Sequence, residues 1–205
     1  MDLERLQKQI NFMLEVDKLK NIYRQTYVLH ENRTENDAEH SWHLALLAFL
    51  LSEYSNEPID VLRTIKMVLI HDIVEIDAGD TYCYDEEGYK DKIERETKAA
   101  ERIFGILPHD QKNEMYNLWL EFEDRKTPEA KFAAVLDRIQ PIMLNYTKDG
   151  ISWKKHGISK EQVIKRNEHT SEGSNTLWQY IKSILDDAAE KGFLKQIVDI
   201  QQLSH

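Results

Sequence analysis

Histidines and carboxylates occur in this chain at positions where they could bind a metal ion. His71 and Asp72 are adjacent and directly follow an apolar run, residues 67–70. His40 precedes them in EHSW, and Asp137 follows them in FAAVLDRIQPIML, flanked by apolar residues at core spacing. An isolated buried carboxylate is costly, so Asp137 needs a hydrogen-bonding partner or a cation.

Two imidazoles and two carboxylates together form a plausible ligand set for one divalent transition metal. Mixed nitrogen and oxygen donors suit Mn, Fe, Co, Ni or Zn, and Mg fits this set less well. Such an ion lowers the pKa of a bound water and polarises a phosphoryl oxygen. A metal ion would also explain the negative charge that follows the apolar run.

Each of these residues also has a structural interpretation. A His-Asp pair alone is a common dipeptide, and a histidine on an early helical turn is more often an exposed polar residue. His43 competes with His40 for a role in the site, and we interpret His43 as structural. Glu75 and Asp80 could simply be a solvated helix end and a turn residue.

Helical periodicity recurs along almost the whole chain and predicts an all-α bundle of seven or eight helices. Asp37 is the expected N-cap of the second helix, and Thr127 with Pro128 marks the start of a later one. Pro141 should kink that later helix beside Asp137. Segment 18–35 is expected to be polar and irregular. The predicted helical segments are 3–17, 37–57, 59–75, 89–107, 108–122, 127–149, 159–189 and 192–203.

Composition restricts the kinds of partner that the protein can have. The formal net charge is −10, and no long basic run is present, which argues against a nucleic-acid polymer as partner. The longest apolar run, residues 44–51, is too short to span a bilayer. Cys83 is the single cysteine, which favours a reducing compartment, and we expect a cytoplasmic protein.

The chain contains no repeat, linker or low-complexity tract, so residues 1–205 are expected to form a single compact domain. The residues with candidate chemistry lie within a core of about 18–145. Helices in the segment 159–203 are expected to complete the fold.

Two motifs resemble those of a known family. RTENDAEHSW (33–42) and HDIVEIDAGD (71–80) are similar to the R-x-E-N-x-x-E-H-S and H-D-x-x-E-x-x-x-G-D motifs of 5′-deoxynucleotidases. With Asp137 they follow the H…HD…D order of the HD-domain metal-dependent phosphohydrolases, of which those enzymes are one branch. The resemblance covers roughly the first 145 residues.

The resemblance implies a role for each matching residue. The metal ligands would be His40, His71, Asp72 and Asp137. Glu75 and Asp72 would be the catalytic residues, with Glu75 acting on the attacking water or the leaving oxygen. Asp80 would lie at the sugar of the nucleotide, and Arg24 and Arg33 would neutralise its phosphate. The chain shows no further His and Asp cluster for a second metal, so one ion is expected.

The function implied is hydrolysis of (deoxy)nucleoside 5′-monophosphates to nucleoside and phosphate by a homodimer. Two alternatives stay open. One is another HD-type enzyme, such as a phosphodiesterase or an alarmone hydrolase, and the other is a non-catalytic sensor of metal or nucleotide. Some family members have tryptophan directly after the arginine that Arg24 matches. Gln25 stands there in this chain, which leaves the choice between deoxyribose and ribose open.

Overall fold

The computed structural model describes residues 3–81, 84, 87–88 and 90–195. Helices dominate these residues, and eight of the α-helices described have eight or more residues, which confirms the predicted all-α bundle. In chain order the α-helices are α1 (Leu3–Val16), α2 (Asp37–Leu51), α3 (Val61–Ile70), α4 (Glu75–Ala78), α5 (Lys92–Phe104), α6 (His109–Asp124), α7 (Pro128–Thr147), α8 (Ile151–His156), α9 (Lys160–Asn167), α10 (Thr170–Gly173) and α11 (Asn175–Glu190). None of them is both long and apolar enough to cross a membrane.

Helix α7 is the central element of the bundle. It contacts α2, α3, α6, α10 and α11, and twelve of its residues are buried. As predicted, Thr127 is its N-cap, accepting a hydrogen bond from the backbone amide of Ala130 at 3.2 Å, and Pro128 is its first residue. The helix continues through Pro141 to Thr147, so Asp137 lies in the middle of the most enclosed helix.

A two-stranded hairpin replaces the irregular segment that we expected at 18–35, so that expectation was wrong. After a short 3-10 helix (Asp17–Asn21), strand β1 (Tyr23–Tyr27) pairs antiparallel with β2 (Thr34–Asn36). The sequence of β1, YRQTY, lacks the alternating apolar and polar residues that mark a half-buried strand. The hairpin carries Arg24 against α2 and α7.

The start of α2 differs from the prediction by one residue. Asn36, and not Asp37, is the N-cap, in a capping box with Glu39 in which each side chain accepts a hydrogen bond from the other's backbone amide. Asp37 is the first residue of the helix, and its side chain is fully buried. This arrangement leaves the Asp37 carboxylate available for contacts inside the fold.

Two predicted helices are divided in the structure. The segment 59–75 is α3, which ends at Ile70, followed by a turn and the short α4. The segment 159–189 forms α9, α10 and α11, with Ser159 and Ser174 as N-caps of α9 and α11. Residues 196–203 of the predicted last helix, like Cys83, lie outside the described residues.

We expect the close packing of α10 on α7 to make Gly173→Ala destabilising. A Cβ at Gly173 would lie 2.6 Å from the Lys131 carbonyl oxygen and 2.7 Å from Val135 Cγ2. Overpacking of this kind costs about 1–3 kcal/mol of the free energy of unfolding, measurable by urea denaturation. Glu172→Ala, at an exposed position of the same helix, is the control and should change stability by less than about 0.5 kcal/mol. Equal stability of the two variants would contradict the packing described.

Candidate metal centre

The four predicted metal ligands converge from three helices. His40 lies in the first turn of α2, His71 and Asp72 directly follow α3, and Asp137 lies in α7. His40 Nε2 is 3.1 Å from Asp137 Oδ1 and 4.0 Å from Asp72 Oδ2. His71 Nε2 is 3.0 Å from Asp72 Oδ1 and 3.8 Å from Asp137 Oδ1. Two nitrogens and the two carboxylates therefore face one small volume.

The end of α3 presents His71 with one ring nitrogen directed into this volume. Its Nδ1 lies 2.9 Å from the Val68 carbonyl oxygen, which can only accept a hydrogen bond, so Nδ1 carries the proton. Its Nε2 is buried and has no hydrogen-bond partner among the described residues. The lone pair of this buried imidazole nitrogen faces two carboxylates. A bound cation would give the lone pair a partner.

A buried network orients His40 in the same way. The Gln140 amide nitrogen donates to Glu35 Oε2 at 2.8 Å, which turns its carbonyl oxygen toward His40 Nδ1 at 3.1 Å. His40 Nδ1 is thereby the donor, and Nε2 faces Asp137. His43 Nδ1 is 3.3 Å from the same Gln140 amide nitrogen, in accord with a structural role for that histidine.

Arg24 offsets part of the negative charge around the ligands. Its guanidinium lies 2.8 Å from Asp72 Oδ2, 3.3 Å from Asp37 Oδ1, 3.7 Å from Glu35 Oε1 and 3.9 Å from Asp137 Oδ1. Oxygens of Asp37, Asp72 and Glu75 also lie close to one another, and Arg24 contacts two of these three carboxylates. One arginine therefore lies within ion-pair distance of several carboxylates.

The protonation of the acidic groups reflects this crowding. Burial and the neighbouring charge of Asp72 raise the pKa of Asp37 to about 7. Burial is also the main cause that raises the pKa of Glu75 and that of Asp80. Burial acts in the same direction on Asp137, but Arg138 and the two histidines outweigh it and hold that pKa well below its ordinary value. The lowered pKa of Asp137 therefore favours its ionised form, and the raised pKa values of Asp37, Glu75 and Asp80 favour their protonated forms.

His40 shows where positive charge is favoured. Burial lowers its pKa, and so does the charge of Arg24. Contacts with the Asp137 and Glu35 carboxylates outweigh both and raise that pKa to about 9. Either a proton on Nε2 or a metal ion between Nε2 and Asp137 would supply the positive charge that these carboxylates favour. The residues fit a divalent transition metal, because buried imidazole and carboxylate donors match its preferences.

A cavity of about 200 Å³ opens beside the ligands. The predicted site residues in its lining are Arg24, His71, Asp72, Glu75, Asp80 and Asp137, with Gln25 among their neighbours. His40 is fully buried next to them. Arg33 is not part of this lining. Its exposed side chain forms a bidentate ion pair with Glu39, at 2.7 and 2.8 Å, and its role at the substrate stays a prediction that this placement does not support.

Three residues that contact this site were not among the predicted site residues, although Glu35 and Asp37 were considered as structural partners of Arg24 and Arg33. Glu35 and Asp37 belong to the motif RTENDAEHSW, and their acidic type before His40 was a usable signal. Gln140 lies three positions after Asp137, on the same face of a helix, so spacing alone could have placed it beside a ligand. The role of Gln140 in orienting His40 became evident only from its contacts with residues far away in the chain.

Similarity to known proteins agrees with this geometry. A family model described as HD domain matches residues 16–178. The human 5′-deoxynucleotidase HDDC2 is 30% identical over 135 residues, 65% of this chain and 65% of that protein. Its Danio rerio counterpart is 30% identical over 139 residues, 67% and 68% of the two chains. The match thus spans just under two thirds of the human protein.

A solved structure is similar over almost the whole length. The crystal structure of a predicted metal-dependent phosphohydrolase from Magnetospirillum magnetotacticum has a TM-score of 0.90 at 49% identity, covering 94% of this chain and 96% of that one. A helical bundle with the H…HD…D ligand set defines the class of HD-domain proteins. This chain belongs to the HD domain family.

We expect Gln140→Leu to weaken metal binding, since His40 loses the acceptor that determines which nitrogen is free. Residues that orient metal ligands typically contribute 10–100-fold in affinity, and a loss of about that size should appear when Co²⁺ is titrated calorimetrically into metal-stripped protein. Thr147→Ala, exposed on the same helix, is the matched control. Unchanged affinity in a folded Gln140→Leu protein would show that the network does not support the site.

Proposed function

We propose that this chain is a metal-dependent phosphohydrolase that releases phosphate from (deoxy)nucleoside 5′-monophosphates. The observation that carries the proposal is the convergence of four ligands, Arg24 and Glu75 at one cavity in a chain of the HD domain family. The 5′-deoxynucleotidases among its relatives support nucleotides as the substrate class. The chemistry needed is an in-line attack of water on phosphorus.

His40, His71, Asp72 and Asp137 would hold one divalent transition metal. That ion would supply Lewis-acid chemistry by acidifying a water and polarising a phosphoryl oxygen. Mixed nitrogen and oxygen donors favour Mn, Fe, Co, Ni or Zn over Mg. The cluster of Asp37, Asp72 and Glu75 consists of carboxylates only and already contacts Arg24, so it does not add a second ion to the proposal.

Arg24 would bind the phosphate. It lines the cavity, and its guanidinium lies among carboxylates whose negative charge would otherwise repel a phosphate. A guanidinium presents a planar pair of donors that matches two phosphate oxygens, and such charge-assisted hydrogen bonds are stronger than neutral ones. Arg24 would therefore both orient the phosphate and offset its charge.

Glu75 would act as the general acid and general base of the reaction. It lies one turn after His71, it lines the cavity, and its Oε2 is buried without a hydrogen-bond partner in the described part of the chain. When the water oxygen bonds to phosphorus, the bond from phosphorus to the 5′ oxygen breaks and that oxygen needs a proton. Glu75 would donate it and regain one from the attacking water.

The sugar would lie near Asp80 and Gln25, which line the same cavity. Asp80 would accept a hydrogen bond from a sugar hydroxyl. Gln25 is smaller than the tryptophan of some family members, so it would leave more room around the 2′ position. Selectivity for deoxyribose should accordingly be modest.

The protein is proposed to act as a homodimer in the cytoplasm. Helix α2 is apolar on its inner and its outer face, and its outer residues Trp42, Phe49 and Leu50 are 64%, 65% and 55% exposed. A helix that is apolar all round is normally buried. A second copy presenting the same face would cover these residues in a two-fold interface.

The nucleotidase is tested by phosphate release from 5′-deoxynucleoside and 5′-ribonucleoside monophosphates, using metal-stripped protein with Mn, Co, Zn or Mg added back. We expect activity with the transition metals and a loss of at least about 100-fold in Asp72→Ala, since even residues that only orient a ligand contribute 10–100-fold. Asp77→Ala, an exposed aspartate of α4, should retain activity. Release that survives in Asp72→Ala, or none with any metal, would refute the nucleotidase.

The dimer is tested by light scattering after size-exclusion chromatography. Wild-type protein should have twice the mass of one chain, and Phe49→Glu should weaken association by more than about 100-fold, because the interface would bury an unpaired charge from each copy. Leu14→Glu, which changes an exposed leucine of α1, serves as the comparison. A monomeric wild type, or a Phe49→Glu protein that remains dimeric, would exclude this interface.

A further inference from the structure

Three arginines line the cavity without having a role in the proposed hydrolysis. They come from different parts of the chain: Arg125 at the end of α6, Arg138 in α7 and Arg166 in α9. Arg138 Nη2 lies 3.7 Å from Asp137 Oδ2, so this group begins directly beside a metal ligand. The cavity lining thus contains three guanidinium groups beside the carboxylates of the predicted ligands, and it also includes Lys92, Glu96 and Glu123. The side of the cavity with these arginines is called the guanidinium-rich part.

His169 reports the electrostatic character of the guanidinium-rich part. It lies shortly after α9, and its Nε2 is buried without a hydrogen-bond partner in the described regions. Burial lowers its pKa, and the charges of the three arginines lower it further, to about 4. The Asp137 carboxylate acts in the opposite direction but does not outweigh the three arginines, although the protein as a whole has a net charge of −10. An anion would be favoured at such a position.

The backbone at Arg125 supports a specific role for that residue. Its φ is 48° and its ψ is 39°, in the left-handed region at the C-terminal end of α6. Glycine is the usual residue at this position of a helix end, because a side chain is disfavoured there. A long cationic side chain in place of glycine is therefore more consistent with a function of its guanidinium than with the needs of the fold.

We propose that Arg125, Arg138 and Arg166 form a second anion subsite that binds a further phosphate group of the nucleotide substrate. The inference rests on the proposed function and extends its substrate class to nucleotides with two phosphate groups, one at the predicted metal ligands and one at the arginines. Guanidinium groups suit this task because they bind phosphate oxygens in pairs and stay charged at any physiological pH. The second phosphate would be either a 3′-phosphate or the additional phosphate of a 5′-diphosphate.

The test compares the binding of three nucleotides by calorimetry: dAMP, 2′-deoxyadenosine 3′,5′-bisphosphate and dADP. It uses Mn²⁺-loaded full-length protein with Glu75→Gln, so that the nucleotides are not consumed. We expect at least one of the two-phosphate nucleotides to bind about tenfold or more tightly than dAMP, the size typical of charge-assisted hydrogen bonds. The nucleotide that shows the advantage identifies the source of the second phosphate.

Two variants remove one arginine each from this background. Arg125→Gly should fold, because its backbone conformation suits glycine, and Arg166→Gln retains a polar side chain of similar length. Each should reduce the advantage of the two-phosphate nucleotide over dAMP to about twofold. Arg5→Gln removes an arginine that pairs with Asp110 on the surface, and it should leave the advantage intact.

The outcomes separate this inference from the proposed function. Equal binding of all three nucleotides, or an advantage that survives both arginine variants, would overturn the subsite. Absence of phosphate release from dAMP by protein with Glu75 in place would overturn the nucleotidase alone, since the binding comparison does not depend on turnover. An advantage lost in both variants and retained in Arg5→Gln would support the subsite.

Discussion

The constraint on which this structure depends is the burial of several carboxylates around one small volume. Removing an ionised carboxylate from water is very unfavourable unless it is paired, hydrogen-bonded or bound to a cation. The fold meets this need in three ways: Arg24 contacts several of the acids, the histidines face Asp137, and burial raises the pKa of Glu75 and Asp37 so that protons are retained. A metal ion would meet the same need and add Lewis-acid chemistry.

The surrounding elements orient the side chains that enclose this acidic volume. Asn36 caps α2, which releases Asp37 to point inward. The end of α3 turns His71 so that one nitrogen donates to a backbone carbonyl and the other faces the Asp72 and Asp137 carboxylates. Gln140, held by Glu35, does the same for His40. Each of the two histidines is thus oriented by a second group, as is usual for histidine ligands of metals.

The cavity beside these ligands combines opposite charges within one enclosed space. Its acidic part would attract a cation, and the cation with Arg24 would make that part acceptable to a phosphate. Its other part contains three guanidinium groups, which together with burial lower the pKa of His169. An acidic protein would therefore be able to bind the proposed anionic nucleotides, because the local field at the site differs from the net charge.

The sequence alone determined the helical fold and the cap at Thr127, because helix periodicity and caps depend on residues within about four positions of one another. It also predicted the four candidate metal ligands, which the structure brings together. It did not predict the hairpin that carries Arg24, the cap at Asn36 or the surface pairing of Arg33. Glu35 and Gln140 are 105 positions apart, and Arg24 and Asp72 are 48 apart. Contacts over such separations follow from how helices pack, and only the tertiary structure decided them.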